Sequence, residues 1–289
     1  MKISRKQYKK VIYSGVFFLL SLIMLMPFIV MVSTSLKSPA EINTPTVNLI
    51  PSKFMFGNYV TAMKSGNWVR WFFNSVYVTA FVTIVSLFFN SLSGFAFSRL
   101  DFRGRNFMFY STLLGLMIPQ QIIMVPVFII LKNFPFFGGN NLLGQGGIGL
   151  VDSYAGLMLP GLAGAFGVFM CRQYFLNFPK ALDEAAEIDG CSTFRLYFQI
   201  YLPLSKPLFA SLGVLKMTSV WNDYVWPLII TNSDSMRTVQ LAITIFRNQV
   251  VQWELLMAGT TVVTVPLILV FILAQRFFIQ GLMAGGVKG

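Results

Sequence analysis

The sequence predicts an all-α polytopic membrane protein that crosses the bilayer six times. Two features of its composition point to this class: 55% of the residues are hydrophobic, and the mean hydropathy is +0.68. Soluble domains are less apolar, with about 45–50% apolar residues. The third feature is the arrangement of the apolar residues in six runs, each of about 20 residues or more, the length that a helix needs to cross a bilayer.

The six runs follow one another along the chain. They are Val11–Val32, Phe72–Phe97, Phe107–Leu131, Tyr154–Tyr174, Leu208–Ile230 and Leu255–Ile279. The fourth run is rich in glycine, a residue that membrane helices tolerate. The first run is longer than the apolar part of a signal peptide, and no small-residue cleavage site follows it, so we expect this helix to be retained.

The distribution of lysine and arginine predicts the orientation in the membrane. These residues are densest in the short loops on the side of the two termini, for example Arg99, Arg103 and Arg105 after the second run. By the positive-inside rule, both termini and the loop 178–207 lie in the cytoplasm of a prokaryotic cell. The net charge of +12 is spread over these loops without the stripe or motif of a nucleic-acid-binding protein.

Cysteine and histidine exclude several kinds of site. The two cysteines, Cys171 and Cys191, both fall on the predicted cytoplasmic side, where thiols stay reduced. The chain has no histidine, so a zinc site or a histidine acid–base group does not fit. No G-x-x-x-x-G-K-[ST] phosphate loop occurs. We therefore expect no catalytic residue, no metal and no cofactor on this chain.

One segment of this basic chain, Leu182–Pro203, is strongly acidic. It places four of the ten acidic residues between Asp183 and Asp189. Pro179 is typical of a helix start and Gly190 of a helix end. The residues between them favour a short helix with alanine at its centre.

The rest of this segment predicts a second short helix. Ser192 can cap it, and Pro203 and Pro207 are expected to break it before the fifth run. The first helix does not suit the membrane surface, because interfacial helices carry lysine and arginine on the polar face. A thin acidic helix suits a groove on another protein.

The segment resembles the EAA motif of ABC importer permeases at all seven of its fixed positions. In that family the motif forms a coupling helix that docks in a cleft of the ATPase subunit, and the fold is that of a type I importer permease. The residues that this resemblance assigns to ATPase coupling are Asp183, Glu184, Ala185, Ala186, Glu187, Asp189, Gly190, Ile200, Leu202 and Pro203. We call residues 178–207 the coupling loop.

Other segments resemble permeases of maltose-type carbohydrate importers. They are Trp221–Ile229, Leu157–Gly161, Ala165–Phe175 and the C-terminal GLMAGGVKG. The resemblance implies one permease domain over 1–289, with its core at about 72–279. It also implies a second permease subunit, two ATPase subunits that bind ATP and magnesium, an extracytoplasmic solute-binding protein and a sugar substrate. The loop Asn133–Ser153 has no assigned role.

Polar and aromatic residues inside the predicted spans are candidates for the substrate path. They are Lys216, Trp221, Asn222, Asp223, Tyr224, Asn90, Gln120 and Gln121. Aromatic rings stack on the C–H face of a sugar, and amides and carboxylates bond its hydroxyls. Helix–helix contacts and an interfacial aromatic belt would use the same residue types. On one straight helix Lys216 and Asp223 would lie about 10 Å apart, too far to pair.

Three other functions compete with a sugar importer. An ABC permease for an amino acid, a polyol or glycerol phosphate would share the acidic loop, but the segment WNDYVWPL favours carbohydrate. A secondary transporter usually has paired halves with matching broken helices, and this sequence has no internal repeat. A membrane enzyme would need an acid, base and nucleophile, which the sequence does not offer.

Overall fold

The computed structural model describes residues 5–45, 48–247 and 250–286, with side chains for 13–45, 48–247 and 250–275. The side chains of the basic N-terminus and of the GLMAGGVKG segment lie outside the described residues. The α-helices are α1 Arg5–Ser35, α2 Pro39–Ile42, α3 Gly57–Lys64, α4 Trp68–Arg99, α5 Arg105–Leu114, α6 Gln120–Lys132, α7 Tyr154–Met158, α8 Ala165–Leu176, α9 Ala181–Ile188, α10 Thr193–Leu196, α11 Leu202–Leu204, α12 Lys206–Trp221, α13 Val225–Ile230, α14 Val239–Ala242 and α15 Trp253–Gly286. The described part contains no strand beyond an isolated bridge between Arg247 and Val251, so the all-α prediction is confirmed.

Among the described residues, three helices are by length and composition able to cross a bilayer. The qualifying segments are Tyr13–Ser35 in α1, Trp68–Arg99 in α4 and Trp253–Gln275 in α15. They correspond to the first, second and sixth apolar runs. Apolar side chains on α1 are widely exposed, with Phe17 at 67% and Met24 at 75%, a surface that suits lipid rather than water.

The other three runs are interrupted helices. The third run is split into α5, which ends at Leu114 with Gly115 at its C-cap, and α6, which has Pro119 at its N-cap, where the missing N–H removes no helical hydrogen bond. The fourth comprises α7, a 3₁₀ turn and α8, which bend by 43° at the break. The fifth comprises α12 and α13. All six runs are thus helical, and the count of six crossings stays a prediction.

The chain divides into two compact units. One unit comprises Met1–Trp68 and Ile243–Pro266, and the other comprises Val69–Ala242 and Leu267–Gly289. The division describes packing within the chain, and the single permease domain over 1–289 stays a prediction.

In the first unit, polar side chains close the turns that follow α1. The Asn58 amide donates to the carbonyl oxygens of Ser35 at 2.9 Å and Lys37 at 2.8 Å. The indole of Trp68 donates to the carbonyl of Ala62 at 2.7 Å, and its ring stacks on Phe246. The first two bonds tie the turn after α1 to α3, and the indole bond ties Trp68 to α3.

In the second unit, α4 and α8 approach each other closely. A Cβ on Gly94 would lie 2.5 Å from the Cβ of Cys171 and 2.8 Å from the backbone nitrogen of Arg172. Glycine is therefore required for this contact, as is common where membrane helices pack. On the same side, the rings of Phe95, Phe175, Phe178, Tyr197 and Tyr201 form an aromatic cluster.

The loop Asn133–Ser153 is held by its own side chains. Asn140 donates to the carbonyls of Lys132 and Phe134 and accepts from the N–H of Gly147. The carboxylate of Asp152 accepts from the N–H groups of Asn232 at 2.9 Å and Ser233 at 3.0 Å. Partial burial raises the pKa of Asp152, but these hydrogen bonds outweigh it and hold the pKa below its usual value.

Candidate functional site

A cavity of about 600 Å³ lies in the second unit where the three interrupted runs break. Gly115 and Ile118 line it from the α5–α6 break, Gly161 and Ala163 from the α7–α8 break, and Asp223 from the α12–α13 break. Pockets that bind small molecules typically measure about 300–1,000 Å³. In membrane proteins, non-helical backbone is tolerated where it is buried or lines a water-filled cavity. All three helix interruptions are therefore tolerated for the same reason, because each of them lines this cavity.

The polar wall of this cavity carries one basic and one acidic side chain. Gln120, Gln121, Lys216, Ser219 and Asp223 all line it. Lys216 and Asp223 do not form one of the three ion pairs among the described residues. The prediction assumed one straight helix, whereas α12 ends at Trp221, between the two residues. Because charged groups in a membrane span are costly unless they face a cavity or a partner, their position on this wall accounts for their presence in the fifth run.

Asp223 has a second, local contact. Its carboxylate accepts a hydrogen bond from the backbone N–H of Trp226 at 3.2 Å. It thereby satisfies one of the N–H groups that the start of α13 leaves free. One residue thus both ends the interruption in the fifth run and faces the cavity.

The aromatic ring on the cavity wall belongs to Trp226, one of the two tryptophans that bracket residues 222–224 in the sequence. Its indole donates to the carbonyl of Gly156 at 3.1 Å, which fixes the ring against α7. Trp221 is buried, with its ring against Phe72, and lies off the cavity. The sequence offered both tryptophans, and it did not show which of the two lines the cavity.

Three other predicted path residues also lie off the cavity. Asn90 is buried in α4, donates to the hydroxyl of Ser86 at 2.9 Å and accepts from the N–H of Gly164 at 3.0 Å. It thus joins α4 to the start of α8. Asn222 is exposed and Tyr224 is half-buried. The chain turns after Trp221. The residues that follow therefore do not continue the helical arrangement of α12, and their side chains point in unrelated directions.

The acidic helix of the coupling loop is α9, and it is followed by Gly190 in a left-handed backbone conformation that glycine adopts readily. Gly190 has φ +69°. Its N–H donates to the carbonyl of Glu187 at 3.0 Å, and the N–H of Cys191 donates to the carbonyl of Ala186 at 2.8 Å, the two bonds of a Schellman motif. The predicted helix end at Gly190 is confirmed. The predicted cap is confirmed too, since the hydroxyl of Ser192 accepts from the N–H of Arg195 at 3.4 Å.

The helical chain after Ser192 is longer than expected. It continues from α10 through a π-helical turn, Tyr197–Tyr201, into α11, and is first interrupted at Ser205. The expectation that Pro203 breaks this helix is therefore wrong. Pro207 lies in the first turn of α12, where the missing N–H would be unpaired in any case. Pro203 directly follows the π-helical turn, inside the continuous helical stretch.

Nine of the ten predicted coupling residues form two groups. The exposed ones are Glu184, Ala185, Glu187, Asp189, Gly190 and Pro203. Apolar side chains stand out beside them, with Ile188 87% and Phe194 71% exposed. Ala186 is buried, and Ile200 and Leu202 pack against the aromatic cluster and its neighbours. The exposed group is free to meet a partner, whereas the second group anchors the loop.

Asp183 points into its own chain rather than outward. One carboxylate oxygen lies 3.0 Å from a guanidinium nitrogen of Arg99. The other accepts a hydrogen bond from the hydroxyl of Tyr201 at 2.6 Å. Both of its oxygens thus have partners within this chain, unlike those of an acidic group awaiting a basic groove.

Known proteins similar to this chain are membrane transport components. The sequence pattern of the family "Binding-protein-dependent transport system inner membrane component" matches residues 86–283. The arabinooligosaccharides transport system permease protein AraQ of Bacillus subtilis (strain 168) is 34% identical over 277 residues, 94% of this chain and 94% of AraQ. The sn-glycerol-3-phosphate transport system permease protein UgpE of Brucella abortus (strain 2308) is 31% identical over 262 residues, 87% of this chain and 88% of UgpE.

A solved structure shares the fold. One chain of a bacterial ABC transporter involved in the import of the acidic polysaccharide alginate superposes with a TM-score of 0.78 at 22% identity. The match covers 96% of this chain and 99% of that chain. At this identity the likeness concerns the fold, which is that of an importer permease.

Proposed function

The chain belongs to the family of binding-protein-dependent transport system inner membrane components, and from this membership we propose that it helps to import an uncharged oligosaccharide. It is a multi-pass inner-membrane protein and a transport subunit rather than an enzyme. Its partners are a second permease subunit, two ATPase subunits and an extracytoplasmic solute-binding protein. ATP and magnesium bind to the ATPase subunits and not to this chain.

The observation that carries this function is the cavity at the three helix breaks. Non-helical backbone at membrane depth is tolerated where it lines a cavity, and secondary transporters place their substrate sites at such discontinuous helices. Here the walls combine amides, a hydroxyl and two ionisable groups with the ring of Trp226. A sugar has hydroxyls for the polar groups and a C–H face for the ring, so the wall suits this substrate.

The charges on the wall favour an uncharged substrate. Lys216 and Asp223 contribute one formal positive and one formal negative charge to the same cavity. An anionic substrate would gain from Lys216 but would be repelled by Asp223, and at close quarters in a weakly polar medium such repulsion is strong. Hydroxyl groups can donate to Asp223 and accept from Lys216 at once. AraQ, whose name specifies arabino-oligosaccharides, is consistent with this choice.

A phosphate ester is the second candidate substrate. It is favoured by the similarity to UgpE, whose name specifies sn-glycerol 3-phosphate. Lys216 would then be the group that meets the phosphate. Asp223 argues against this candidate, because it lies on the same wall.

The coupling loop supports the second half of the proposal, the link to the ATPase. Its exposed face combines the carboxylates of Glu184, Glu187 and Asp189 with the apolar side chain of Ile188. An apolar contact surrounded by charge is typical of a protein interface. The positive-inside distribution favours a cytoplasmic position for this loop and both termini, which is where an ATPase subunit would be reached.

The test is ATP hydrolysis by the complete complex with its solute-binding protein. Arabino-oligosaccharides are expected to stimulate hydrolysis, whereas glycerol 3-phosphate and alginate oligosaccharides are not. Asp223→Asn keeps an acceptor for the N–H of Trp226 but removes the charge, and Asp223→Leu removes both. We expect stimulation to fall about tenfold or more in both variants, the scale of losing one partner to a desolvated charged group.

The matched control is Asp101→Asn, which removes a carboxylate that is 94% exposed and should change nothing. Stimulation by glycerol 3-phosphate alone would overturn the uncharged substrate. Normal stimulation by sugar in both Asp223 variants would show that the cavity is not the path.

A further inference from the structure

The last residue of α4, Arg99, joins three parts of the chain at the base of the coupling loop. Its side chain is 8% exposed, and one guanidinium nitrogen lies 3.0 Å from the Asp183 carboxylate. A second nitrogen donates to the carbonyls of Phe175 and Phe178, both at 2.6 Å. The guanidinium also lies over the ring of Tyr201, 5.4 Å from its centroid.

These contacts use properties of arginine that lysine lacks. A planar guanidinium presents donors in fixed directions and stacks on aromatic rings, whereas an ammonium is a single flexible point charge. The carbonyl of Phe175 belongs to the last turn of α8, where a cation is favoured by the helix dipole. The Nε atom of Arg99 is buried without a hydrogen-bond partner. That cost is tolerated because the other contacts hold the side chain in place.

Asp183 completes the link to α9. Tyr201 donates to it, and the Tyr201 ring packs against Phe95, Phe175 and Phe178 at centroid distances of 4.9, 5.4 and 5.2 Å. Burial and the hydrogen bond to Asp183 both raise the pKa of Tyr201, so its hydroxyl stays protonated and remains a donor. The first turn of α9 is thus attached to α4, α8 and the aromatic cluster through one carboxylate.

The helix α4, which ends at Arg99, also contacts the segment 235–237 near its start and lines the cavity in its middle. Near its start, Asn74 donates to the carbonyls of Ser235 and Arg237 at 2.8 Å each and accepts from the hydroxyl of Tyr154 at 2.6 Å. Val82 lines the cavity. From Asn74 to Arg99 an uninterrupted helix spans about 38 Å at 1.5 Å per residue.

From this arrangement we propose that Arg99 is a positioning residue that makes α4 follow the coupling helix. Through Asp183 and Tyr201, a displacement of α9 by the ATPase is passed to the cytoplasmic end of α4, and along α4 to the cavity wall and the outer loops. Asp183 then acts inside this chain, while Glu184, Glu187 and Asp189 remain for the ATPase. The inference rests on the proposed function, because it presupposes a bound ATPase.

The test is a double-mutant cycle in the complete complex with its solute-binding protein. The protein is loaded with whichever of the three substrates named above stimulates the unmodified complex most. The variants are Arg99→Met, Asp183→Asn and the two together, with Tyr201→Phe as a milder change that leaves the ion pair intact. Two readouts are taken: the amount of ATPase subunit that co-purifies, and the ratio of stimulated to unstimulated ATP hydrolysis.

We expect the ATPase to co-purify in normal amount, because the exposed face of α9 is unchanged. The stimulation ratio should fall about tenfold or more in Arg99→Met and in Asp183→Asn, the scale of losing one partner of a desolvated ion pair. The double variant should be no worse than either single variant, since both remove one link. Tyr201→Phe should lose about threefold, the scale of one neutral hydrogen bond.

The matched control is Asp101→Asn, which removes the neighbouring ion pair of Asp101 with Arg105, whose nitrogen and oxygen lie 2.7 Å apart. Asp101 is 94% exposed, and such a solvent-exposed pair contributes little, so stimulation should be unchanged. Losses that add up in the double variant, a normal ratio in Arg99→Met, or a co-purification loss confined to Asp183→Asn would each overturn the inference. If the unmodified complex shows no stimulation by any substrate, the proposed function fails instead.

Discussion

The twin alanines of the coupling helix should respond in opposite ways to the same substitution. Ala186 is 5% exposed, whereas Ala185 is exposed. Leucine and alanine have similar helix propensities, so Ala186→Leu and Ala185→Leu differ mainly in what the added carbons meet. The sequence alone attributed both alanines to the contact with the ATPase. The structure separates them into one internal contact and one available for a partner.

The magnitudes follow from these exposures. Ala186→Leu places extra carbons in a filled site, which costs about 1–3 kcal/mol. The expected fall in melting temperature is roughly 2–12 °C for a chain of this size class. Ala185→Leu adds carbons to an open surface and should change stability by less than about 0.5 kcal/mol. If that surface docks in a packed groove, the same bulk should weaken ATPase binding about 5- to 150-fold.

Two measurements separate the effects. Thermal unfolding of the permease pair, purified without ATPase, reports the internal contact. Titration of the permease pair with the ATPase subunit then reports docking. The reasoning would be refuted if Ala185→Leu lowered the melting temperature as much as Ala186→Leu, or if Ala185→Leu left the affinity for the ATPase unchanged.

Two further predictions use other parts of the chain. The native thiol of Cys191, which is half-buried, should react with a membrane-impermeant maleimide in inside-out vesicles and not in intact cells, with Cys191→Ser as the unreactive control; labelling of intact cells would reverse the proposed topology. Asp152→Ala should lower the stability of the purified complex at neutral pH by about 1 kcal/mol per lost hydrogen bond. Because the folded state holds the pKa of Asp152 below its usual value, this contribution is present above the unfolded pKa, about 3.9, and is lost as pH falls through the lower folded pKa. A difference in melting temperature between the two proteins that grew on acidification would contradict this sign.

Local features of the chain could be predicted without its tertiary structure. The helical membrane class follows from the length of the apolar runs, since a bilayer sets the length of a crossing. The end of α9 at Gly190 and the cap at Ser192 also follow, because such motifs depend on a few consecutive residues. Of the breaks, the one at Pro119 has a local cause. That Lys216 and Asp223 face something other than lipid could be expected from the cost of burying a charge in hydrocarbon.

The partners of the functional residues depend on contacts between distant parts of the chain. From the sequence, Asp183 is one more acidic residue of a surface helix. In the structure, Arg99 at the end of α4 forms an ion pair with it. Trp226, and not Trp221, lines the cavity because the chain turns after α12 and the carbonyl of Gly156 fixes the indole. A period of 3.6 residues assigns faces along an unbroken helix, but it loses its meaning at an interruption. Which residues surround the cavity is therefore set by the packing of several broken helices, which no single segment encodes.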